Sequence, residues 1–564
     1  MSTIDKNKST PVMKQFWNIK DQYQDCIILF RMGDFYETFE KDAKITSNIL
    51  GIALTKRSNG AASSVALAGF PHHSLDQYLY KLLTAGHKVA ICEQVEDASQ
   101  AKGIVKREVV EVVSPGTTIS EKFLDHNNNN YICSAYYNKT NIGISILDYS
   151  TGEFYTNQIK FEYFNNLISK YNISEFLVLE SQKELFLKFK SIKNIFTNSI
   201  PDWLNELNYN NEMLCNHFNV KSMKGFGLNN KSSCIISSGM IMYYLNQNFS
   251  QGTSHINTLK SLSYDNKMQI DYYTTRNLEL FESLLNHNKK KGTLLSSIDK
   301  TVTSSGSRLL KNWVTSPLIN KTSINKRLNI ITEFINDYDF LDYTRNELKG
   351  IHDIQRIISK ISCKKANPVD IINLSNSLKF LTSFKKSISD DKKEIKILVD
   401  QTYEISNIIK LINNTLKDLP PINMKKGNFI KDGFSDDLDE LRVISNDANT
   451  WMLDYQQKLR ENTNISSLKI GFNKIFGYYI DVTKTHSEKV PEYFIKKQTL
   501  VNNERYFTEE LKEFEHKILN ADYQISNLEN KIFDKLCNEI LIDVHNIQFN
   551  SDCISKIDIF SSLA

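Results

Sequence analysis

Two residues near the start of the chain, Phe35 and Glu37, have side chains that could act together on a flat ligand. They follow the apolar run 27–30, which is short and apolar enough to predict a buried strand. Residues two apart on an extended segment point to the same face, so a ring for stacking would lie beside a carboxylate for hydrogen bonding. Gly33 allows the backbone to turn ahead of them. The alternative is a core phenylalanine beside a solvated glutamate, and these residues alone leave both open.

The composition is typical of an ordinary soluble, multidomain protein. The 564 residues are too many for one core and suggest about three to five domains. Hydrophobic residues make up 41% and charged residues 24% of the chain, and the 9 prolines and 20 glycines permit long helices. The net charge of +4 is small for this length, so it neither requires nor excludes binding to nucleic acid.

Several classes of protein are disfavoured by the sequence. The eight cysteines form no C-x-x-C pair and lie near no histidine cluster, which predicts neither a disulfide framework nor a zinc site. The adjacent His72 and His73 would point apart, so no metal site is predicted. The first ten residues are polar and no apolar run approaches a membrane span, which predicts a cytoplasmic protein that does not enter the membrane.

The elements around Phe35 read as a small α/β domain. Apolar spacing predicts a helix over 11–23 and another over 41–50, and Ser74 with Gln77 predicts a capping box ahead of a third. Further strands are predicted at 89–92 and 109–113. The polar run 127–130 then predicts a linker.

The region after the linker reads as a second sheet followed by helices. Strands are predicted at 132–136, 142–147 and 154–159. Asp148 is placed like a catalytic carboxylate, but because no partner carboxylate is evident we interpret it as structural. From about 259 to 419 the apolar spacing predicts an α-helical core that is interrupted by prolines.

Two long segments have a strict three- and four-residue apolar spacing, which predicts an antiparallel coiled-coil arm. The first seam is Leu438, Leu441, Ser445, Ala448, Met452, Tyr455 and Leu459, and the second is Phe507, Leu511, Phe514, Ile518, Ala521, Ile525, Leu528 and Ile532. Strands at 468–472 and 478–482 predict a small β unit between them. Residues 465–500 carry six lysines and three acidic residues, a local basic excess of +3.

No catalytic site is predicted. The chain has no G-x-x-x-x-G-K-[ST] sequence, so it lacks a phosphate-binding P-loop, and no Ser/His/Asp or Cys/His arrangement stands out.

A set of specific sequence blocks occurs in a fixed order along the chain, at 30–37, 54–57, 68–73, 90–94, 274–280, 306–310 with Trp313 and Pro317, 470–473, 477–480, 498–500 and 503–506. Through these blocks the chain resembles, over its whole length, the bacterial MutS family of DNA mismatch-recognition proteins. The resemblance implies a small α/β mismatch-binding domain (1–125), an RNase H-like connector (126–252) that lacks the nuclease site, an α-helical lever core (253–435), a small β clamp (436–504) and a returning core helix (505–564).

The resemblance also implies properties of the intact family. These are a C-terminal ATPase domain that uses ATP and Mg²⁺, a homodimer formed through that domain, and a MutL-type repair partner. The chain stops at Ala564, before that domain would begin, so ATP hydrolysis and dimerisation are in doubt for this polypeptide.

The site residues are carried over from the same blocks. Phe35 would insert from the minor groove and stack on one base of a mispair in duplex DNA, and Glu37 would share a proton with a ring nitrogen of that base, which requires a raised pKa. Lys56 and Arg57 would contact the DNA backbone without reading sequence, as would the clamp lysines Lys469, Lys474, Lys496 and Lys497. For each of these cations an ordinary solvated role is the alternative. For the whole chain, the alternative is a helical scaffold or partner-binding protein with only non-specific DNA affinity.

Overall fold

The computed structural model describes residues 9–59, 62–96, 104–120, 122–229, 231–248, 252–262, 266–285, 291–473 and 477–564. The chain forms two compact units. The first comprises Met1–Ala366, Asn376–Ile405 and Asp543–Ala564, and the second comprises Asn367–Ser375 and Ser406–Ile542. The mixed α/β architecture with several sheets and a helical core agrees with the prediction, whereas the division into five domains stays a prediction.

The first sheet of the first unit has the strand order β3-β4-β2-β1-β5-β6. Its strands are β1 (Cys26–Met32), β2 (Phe35–Phe39), β3 (Thr55–Asn59), β4 (Ala62–Pro71), β5 (Lys88–Gln94) and β6 (Arg107–Val113). Its helices are α1 (Pro11–Gln22), α2 (Glu40–Leu50) and α3 (Leu75–Thr84). The helices predicted over 11–23 and 41–50 and the strands predicted at 27–30, 89–92 and 109–113 are therefore confirmed.

Apolar layers cover both faces of this sheet. On one face Phe16 of α1 packs against Phe30 and Phe39. On the other face Tyr36 and Phe70 pack with residues of α2 and α3. The alternation of side chains along the strands thus supplies both cores.

The predicted capping box at the start of α3 is wrong. The helix begins at Leu75 as expected, but the Ser74 side chain makes no capping hydrogen bond. Residues 72–74 form a 3₁₀ turn that leaves Ser74 at φ −95° and ψ 9°. A capping serine needs an extended backbone, so this conformation removes the geometry of the cap.

The second sheet has the order β11-β10-β7-β8-β9-β12. Its strands are β7 (Tyr131–Tyr137), β8 (Asn141–Asp148), β9 (Glu153–Lys160), β10 (Ile173–Leu179), β11 (Phe196–Ile200) and β12 (Lys260–Ser261). The helices of this region are α4 (Phe164–Ile168), α5 (Lys183–Phe186), α6 (Leu207–Phe218) and α7 (Ser232–Asn248). The predicted strands at 132–136, 142–147 and 154–159 are confirmed, and the almost fully buried α7 packs on this sheet through the Ser134 hydroxyl, which donates to Ser237 O at 2.6 Å.

Helices dominate the chain from Tyr272 onward, as predicted. They are α8 (Tyr272–Asn277), α9 (Leu294–Ile298), α10 (Ser304–Thr315), α11 (Lys321–Ile335), α12 (Tyr338–Leu348), α13 (Ile354–Ser362), α14 (Pro368–Ser387), α15 (Lys393–Asp400), α16 (Ser406–Thr415) and, at the end of the chain, α19 (Val544–Leu563). In the described part of the chain, no helix has both the length and the apolar character needed to cross a membrane.

Two buried arginines of the core, Arg308 and Arg356, hold the segment that joins the two sheets, and we call them the linker arginines. Arg308 donates to His126 O at 3.0 Å, and Arg356 donates to the carbonyl oxygens of Asp125 and Asn128 at 3.0 Å. Asp353 lies between them, 2.6 Å from Arg308 and 3.8 Å from Arg356. The predicted linker 127–130 is therefore held to the helical core through Asn128 O, and the two residues before it are held through their own carbonyl groups.

The second unit contains two long helices, α17 (Asp436–Thr463) and α18 (Glu509–Ile542), joined through a four-stranded sheet of order β13-β14-β16-β15. Its strands are β13 (Lys469–Asn473), β14 (Gly477–Thr483), β15 (Ile495–Thr499) and β16 (Asn503–Phe507). Arg442 bonds to Glu529, Ser445 to Asp522, and Trp451 stacks on Phe514, so the two helices run antiparallel. The seam residue Ala448 lies outside the described side chains.

Candidate nucleic-acid interface

The β1–β2 hairpin places Phe35 at one end of the first sheet. Met32 pairs with Phe35, so only Gly33 and Asp34 connect the two strands. Gly33 has φ +58°, a left-handed conformation that glycine adopts without steric cost. On its other side Phe35 pairs with Pro71, the last residue of β4. The first residue of β2 thus lies next to a tight turn.

The side chains of β2 change from exposed to buried along the strand. Phe35 is 47% exposed, whereas Tyr36 and Phe39 are 2% and 1% exposed. Phe16 of α1 contacts the Phe39 ring, so the helix covers the far end of this face. Phe35 therefore presents its ring at the surface, and the alternative of a core phenylalanine does not describe this residue. Tyr36 points to the opposite face and lies in the core.

Glu37 shares the face of Phe35 and forms an ion pair with Arg57. Arg57 Nη1 and Glu37 Oε2 lie 2.5 Å apart, and the two side chains are 31% and 18% exposed. Burial raises the pKa of the Glu37 carboxyl, although Arg57 and Arg107 act to lower it. A raised pKa is the direction that the shared proton requires.

Arg57 and Lys56 occupy different surroundings although they are adjacent. The guanidinium of Arg57 also lies 5.9 Å from the centre of the Phe39 ring. Lys56 is exposed and points to the opposite face of β3, where it pairs with Ala66. The structure thus brings Arg57 but not Lys56 to the Phe35 face.

Arg107 belongs to the same face and was missed by the sequence reasoning. Its Nε donates to Arg31 O at 2.6 Å and its Nη1 donates to Val105 O at 2.9 Å and to Gln15 at 3.3 Å. Its guanidinium lies 5.2 Å from the centre of the Phe30 ring, and Phe30 pairs with Glu37. Arg107 is 70 residues from Glu37 in the chain, so only knowledge of the strand order could have indicated this neighbour.

A polar network on the opposite face ties the hairpin to the centre of the sheet. The Tyr36 hydroxyl donates to Glu93 of β5, and Arg31 lies 3.9 Å from the same carboxylate. Arg31 Nε also donates to Gly33 O at 2.5 Å. These contacts fix the turn that carries Phe35.

The predicted clamp lysines lie in the second unit and differ in their contacts. Lys469, Lys496 and Lys497 are all exposed. Lys496 pairs with Glu504 at 2.5 Å, and Lys497 Nζ lies 5.3 Å from the centre of the Phe507 ring. Lys474 lies outside the described residues. The exposed lysines can reach an anionic ligand, and Lys496 would first have to leave its carboxylate.

Asp148 has a carboxylate neighbour that the sequence reasoning did not find. It pairs with Glu153 across the β8–β9 turn, and Asn129 Nδ2 donates to both carboxylates at 2.8 and 3.2 Å. Burial and the charge of Asp148 raise the pKa of Glu153 to about 7. Asp148 is fully buried and also accepts from the amide and hydroxyl of Ser150, which agrees with a structural role.

The ATP and Mg²⁺ that the resemblance implies for the intact family belong to the C-terminal domain of that family and stay a prediction. The sequence has no P-loop. Across the described ranges, no group of three or more His, Cys, Asp or Glu side chains is placed to hold a metal ion.

Three family models cover nearly all of the chain. MutS domain I matches residues 10–122, MutS domain II matches 130–257, and MutS domain III matches 273–564. The domains of these models define the class as the MutS family.

Relatives of the whole chain agree. It is 42% identical over 552 residues to the DNA mismatch repair protein MutS of Flavobacterium psychrophilum, covering 98% of this chain and 63% of the relative. It is 41% identical to the protein of the same name from Flavobacterium johnsoniae and 40% identical to that of Christiangramia forsetii, each covered to 64%. The chain therefore belongs to the MutS family and spans somewhat less than two thirds of the length of these relatives.

Proposed function

We propose that this chain binds duplex DNA at mispaired or unpaired bases, by inserting the Phe35 ring and kinking the duplex. The observation that carries the proposal is the half-exposed Phe35 ring at the end of a strand whose Tyr36 and Phe39 are buried. The names of the relatives, which are DNA mismatch repair proteins, support the same function.

Insertion of the ring explains how one site could accept different mispairs. An apolar wedge between base steps costs a few kcal/mol of unstacking, and the kinked duplex then contacts more protein. A mispair is already poorly stacked, so the deformation costs less there than in matched DNA. The lesion is recognised mainly by its deformability.

Glu37 supplies the polar part of the recognition. Its carboxyl lies on the face of Phe35, two residues along β2. A protonated carboxyl can donate to a ring nitrogen of the stacked base, and burial raises the pKa of Glu37 toward that state. We expect this group to favour mismatched over matched DNA.

The second unit carries the non-specific contacts. Lys469, Lys474, Lys496 and Lys497 would bind phosphates and make the affinity depend on salt, as would Lys56 and Arg57. The helices α17 and α18 have 28 and 34 residues, about 42 and 51 Å at 1.5 Å per residue. We propose that they form the coiled-coil arm that carries the clamp, attached to the lever core, at a distance suited to a wide duplex.

The region of the second sheet is proposed to be an RNase H-like connector without nuclease chemistry. The hydrogen bonds that satisfy Asp148 leave it no exposed oxygen for a metal ion, which supports a structural role. A MutL-type partner, a homodimer and a cytoplasmic location stay predictions.

The test compares binding to two duplexes that differ only in one mispair. We expect the chain to prefer the mismatched duplex, and Phe35→Ala and Glu37→Ala to lose that preference while the fold is intact. The second candidate function, a helical scaffold, is favoured by the extent of the helical core. It predicts equal, weak and salt-sensitive binding of the unaltered chain to both duplexes, and that result would overturn the proposal.

A further inference from the structure

The ion pair between Arg57 and Glu37 conflicts with the state in which Glu37 would read a base. In the free chain Arg57 Nη1 lies 2.5 Å from Glu37 Oε2. A guanidinium this close stabilises the ionised carboxylate. An ionised carboxylate can only accept hydrogen bonds, so it would repel a ring nitrogen that is itself an acceptor. The pair therefore has to open before the carboxyl can donate.

A DNA phosphate offers Arg57 an equivalent partner. Guanidinium forms charge-assisted hydrogen bonds with carboxylate and phosphate oxygens in the same planar geometry. Arg57 lies on β3, the edge strand of the first sheet, and its side chain is 31% exposed. Within the described part of the chain, Glu37 is the carboxylate with which Arg57 pairs. A phosphate that approaches this edge would compete for the guanidinium directly.

Arg107 cannot make the same exchange. It is buried, and its guanidinium donates to two backbone carbonyls and to Gln15. The remaining neighbours of Glu37 in the sheet are Phe30 on β1 and Gly69 on β4, and neither carries a charge. Arg57 is therefore the charged neighbour of Glu37 that is able to leave.

We propose that Arg57 is a positioning residue that exchanges Glu37 for a DNA phosphate when the duplex binds, and that this exchange lets Glu37 take up a proton from solvent. The carboxylate gains the proton as its O–H and donates it in a hydrogen bond to the ring nitrogen of the stacked base, while the guanidinium keeps its charge throughout. The inference rests on the proposed function, because it assigns the regulation of the same site.

The first measurement needs no DNA. The pKa of the Glu37 carboxyl is measured by ¹³C NMR titration in the free chain, with Glu37→Gln to assign the signal. Arg57→Gln should raise this pKa, since Arg57 acts to lower it. Lys56→Gln is the matched control, because it removes one positive charge from the neighbouring residue on the opposite face of β3 and should leave this pKa unchanged. An unchanged Glu37 pKa in Arg57→Gln would overturn the proposal.

The second measurement follows mismatch affinity with pH. If Glu37 takes up a proton on binding, its pKa is higher in the complex than in the free chain. In the pH window between these two pKa values, the affinity should rise as pH falls, by up to about tenfold per pH unit. The low-pH end of this window is the pKa of Glu37 in the free chain, so Arg57→Gln should move that end upward by the pKa shift that NMR measures. Lys56→Gln should weaken binding to both duplexes and leave the window in place.

The outcomes separate this inference from the proposed function. A chain without any mismatch preference overturns both. A mismatch preference that depends on Phe35, but whose pH window is unaffected by Arg57→Gln, overturns only the exchange. A window that moves with Arg57→Gln and disappears in Glu37→Gln supports it.

Discussion

Phe35 and Phe39 offer a direct comparison between the proposed binding ring and a core ring, because they lie on the same face of β2 and differ in burial. Phe35 is 47% exposed and Phe39 is 1% exposed. Burying a phenylalanine side chain fully contributes about 1.5–3 kcal/mol, so removal of the half-exposed Phe35 ring should cost roughly 1 kcal/mol of stability. Phe39→Ala should cost about 3–5 kcal/mol, because it also leaves a cavity beside Phe16 and Phe30.

Binding should show the opposite order of effects. Loss of one ring that stacks on a base costs about 1–3 kcal/mol, so Phe35→Ala should weaken mismatch binding by roughly 5- to 150-fold. Affinity for the matched duplex depends mainly on phosphate contacts and should change little. Phe39→Ala should reduce the fraction of folded protein without a selective loss of mismatch preference in the folded fraction.

The assays are fluorescence anisotropy with duplexes that differ in one base pair, and native-state amide exchange of β1 and β5 to measure the opening free energy of the first sheet. If Phe35→Ala lowers that free energy as much as Phe39→Ala does, the ring belongs to the core. If Phe35→Ala retains the full preference for the mispair, the ring is not the wedge. Either result would refute the reasoning from exposure to function.

Three further predictions concern charged groups. The raised pKa of Glu153 next to Asp148 makes the stability of the wild-type chain fall as pH rises through about 7. Glu153→Gln should therefore stabilise the fold at pH 8 by about 1–3 kcal/mol and remove the pH dependence of stability between about 4.5 and 7. Urea unfolding across pH checks this, and an unchanged pH profile would contradict it. Asp353→Asn should destabilise the first unit by about 3–5 kcal/mol, because it leaves the linker arginines without their shared carboxylate. Burial acts to raise the pKa of Asp353, but the linker arginines lower it overall. The stability that this carboxylate contributes to the wild-type chain should therefore be lost as pH falls below about 4. Hydrogen-exchange rates of the 125–128 amides report both the effect of Asp353→Asn and this loss at low pH. Lys496→Ala should weaken binding to matched and mismatched duplexes alike and reduce the salt slope by about 1, and a selective effect on the mispair would argue against a phosphate contact. That variant is best measured beside Glu504→Gln, which frees Lys496 from its ion pair and should strengthen binding.

The sequence was sufficient for the parts of the fold that depend on periodicity. The two-residue repeat predicted that Phe35 and Glu37 share a face, and the strand β2 places them so. The three- and four-residue repeats predicted the long helices α17 and α18. Such patterns are local, because each helix or strand that buries one face repeats its apolar residues at its own period.

Contacts that depend on strand order could not be predicted in the same way. Arg57 reaches Glu37 across β4, and a register shift between Arg57 and Asn59 affects how β3 lies on that strand. For this reason the sequence predicted a DNA-backbone contact or a solvated cation at Arg57, and not a partner of Glu37. Glu153 was missed because it is opposite Asp148 only once the β8–β9 turn is formed.

The hairpin that carries Phe35 is held by neighbours that do not depend on a ligand. β2 lies between β1 and β4, and Tyr36 is hydrogen-bonded to Glu93. Immobilising a flexible side chain on binding costs about 0.5–1.5 kcal/mol, but here the backbone is already ordered and a phenyl group has only two torsions to restrict. A bound duplex would thus meet a pre-organised projection, and differences in affinity between lesions should follow the stiffness of the DNA rather than any rearrangement of the hairpin backbone.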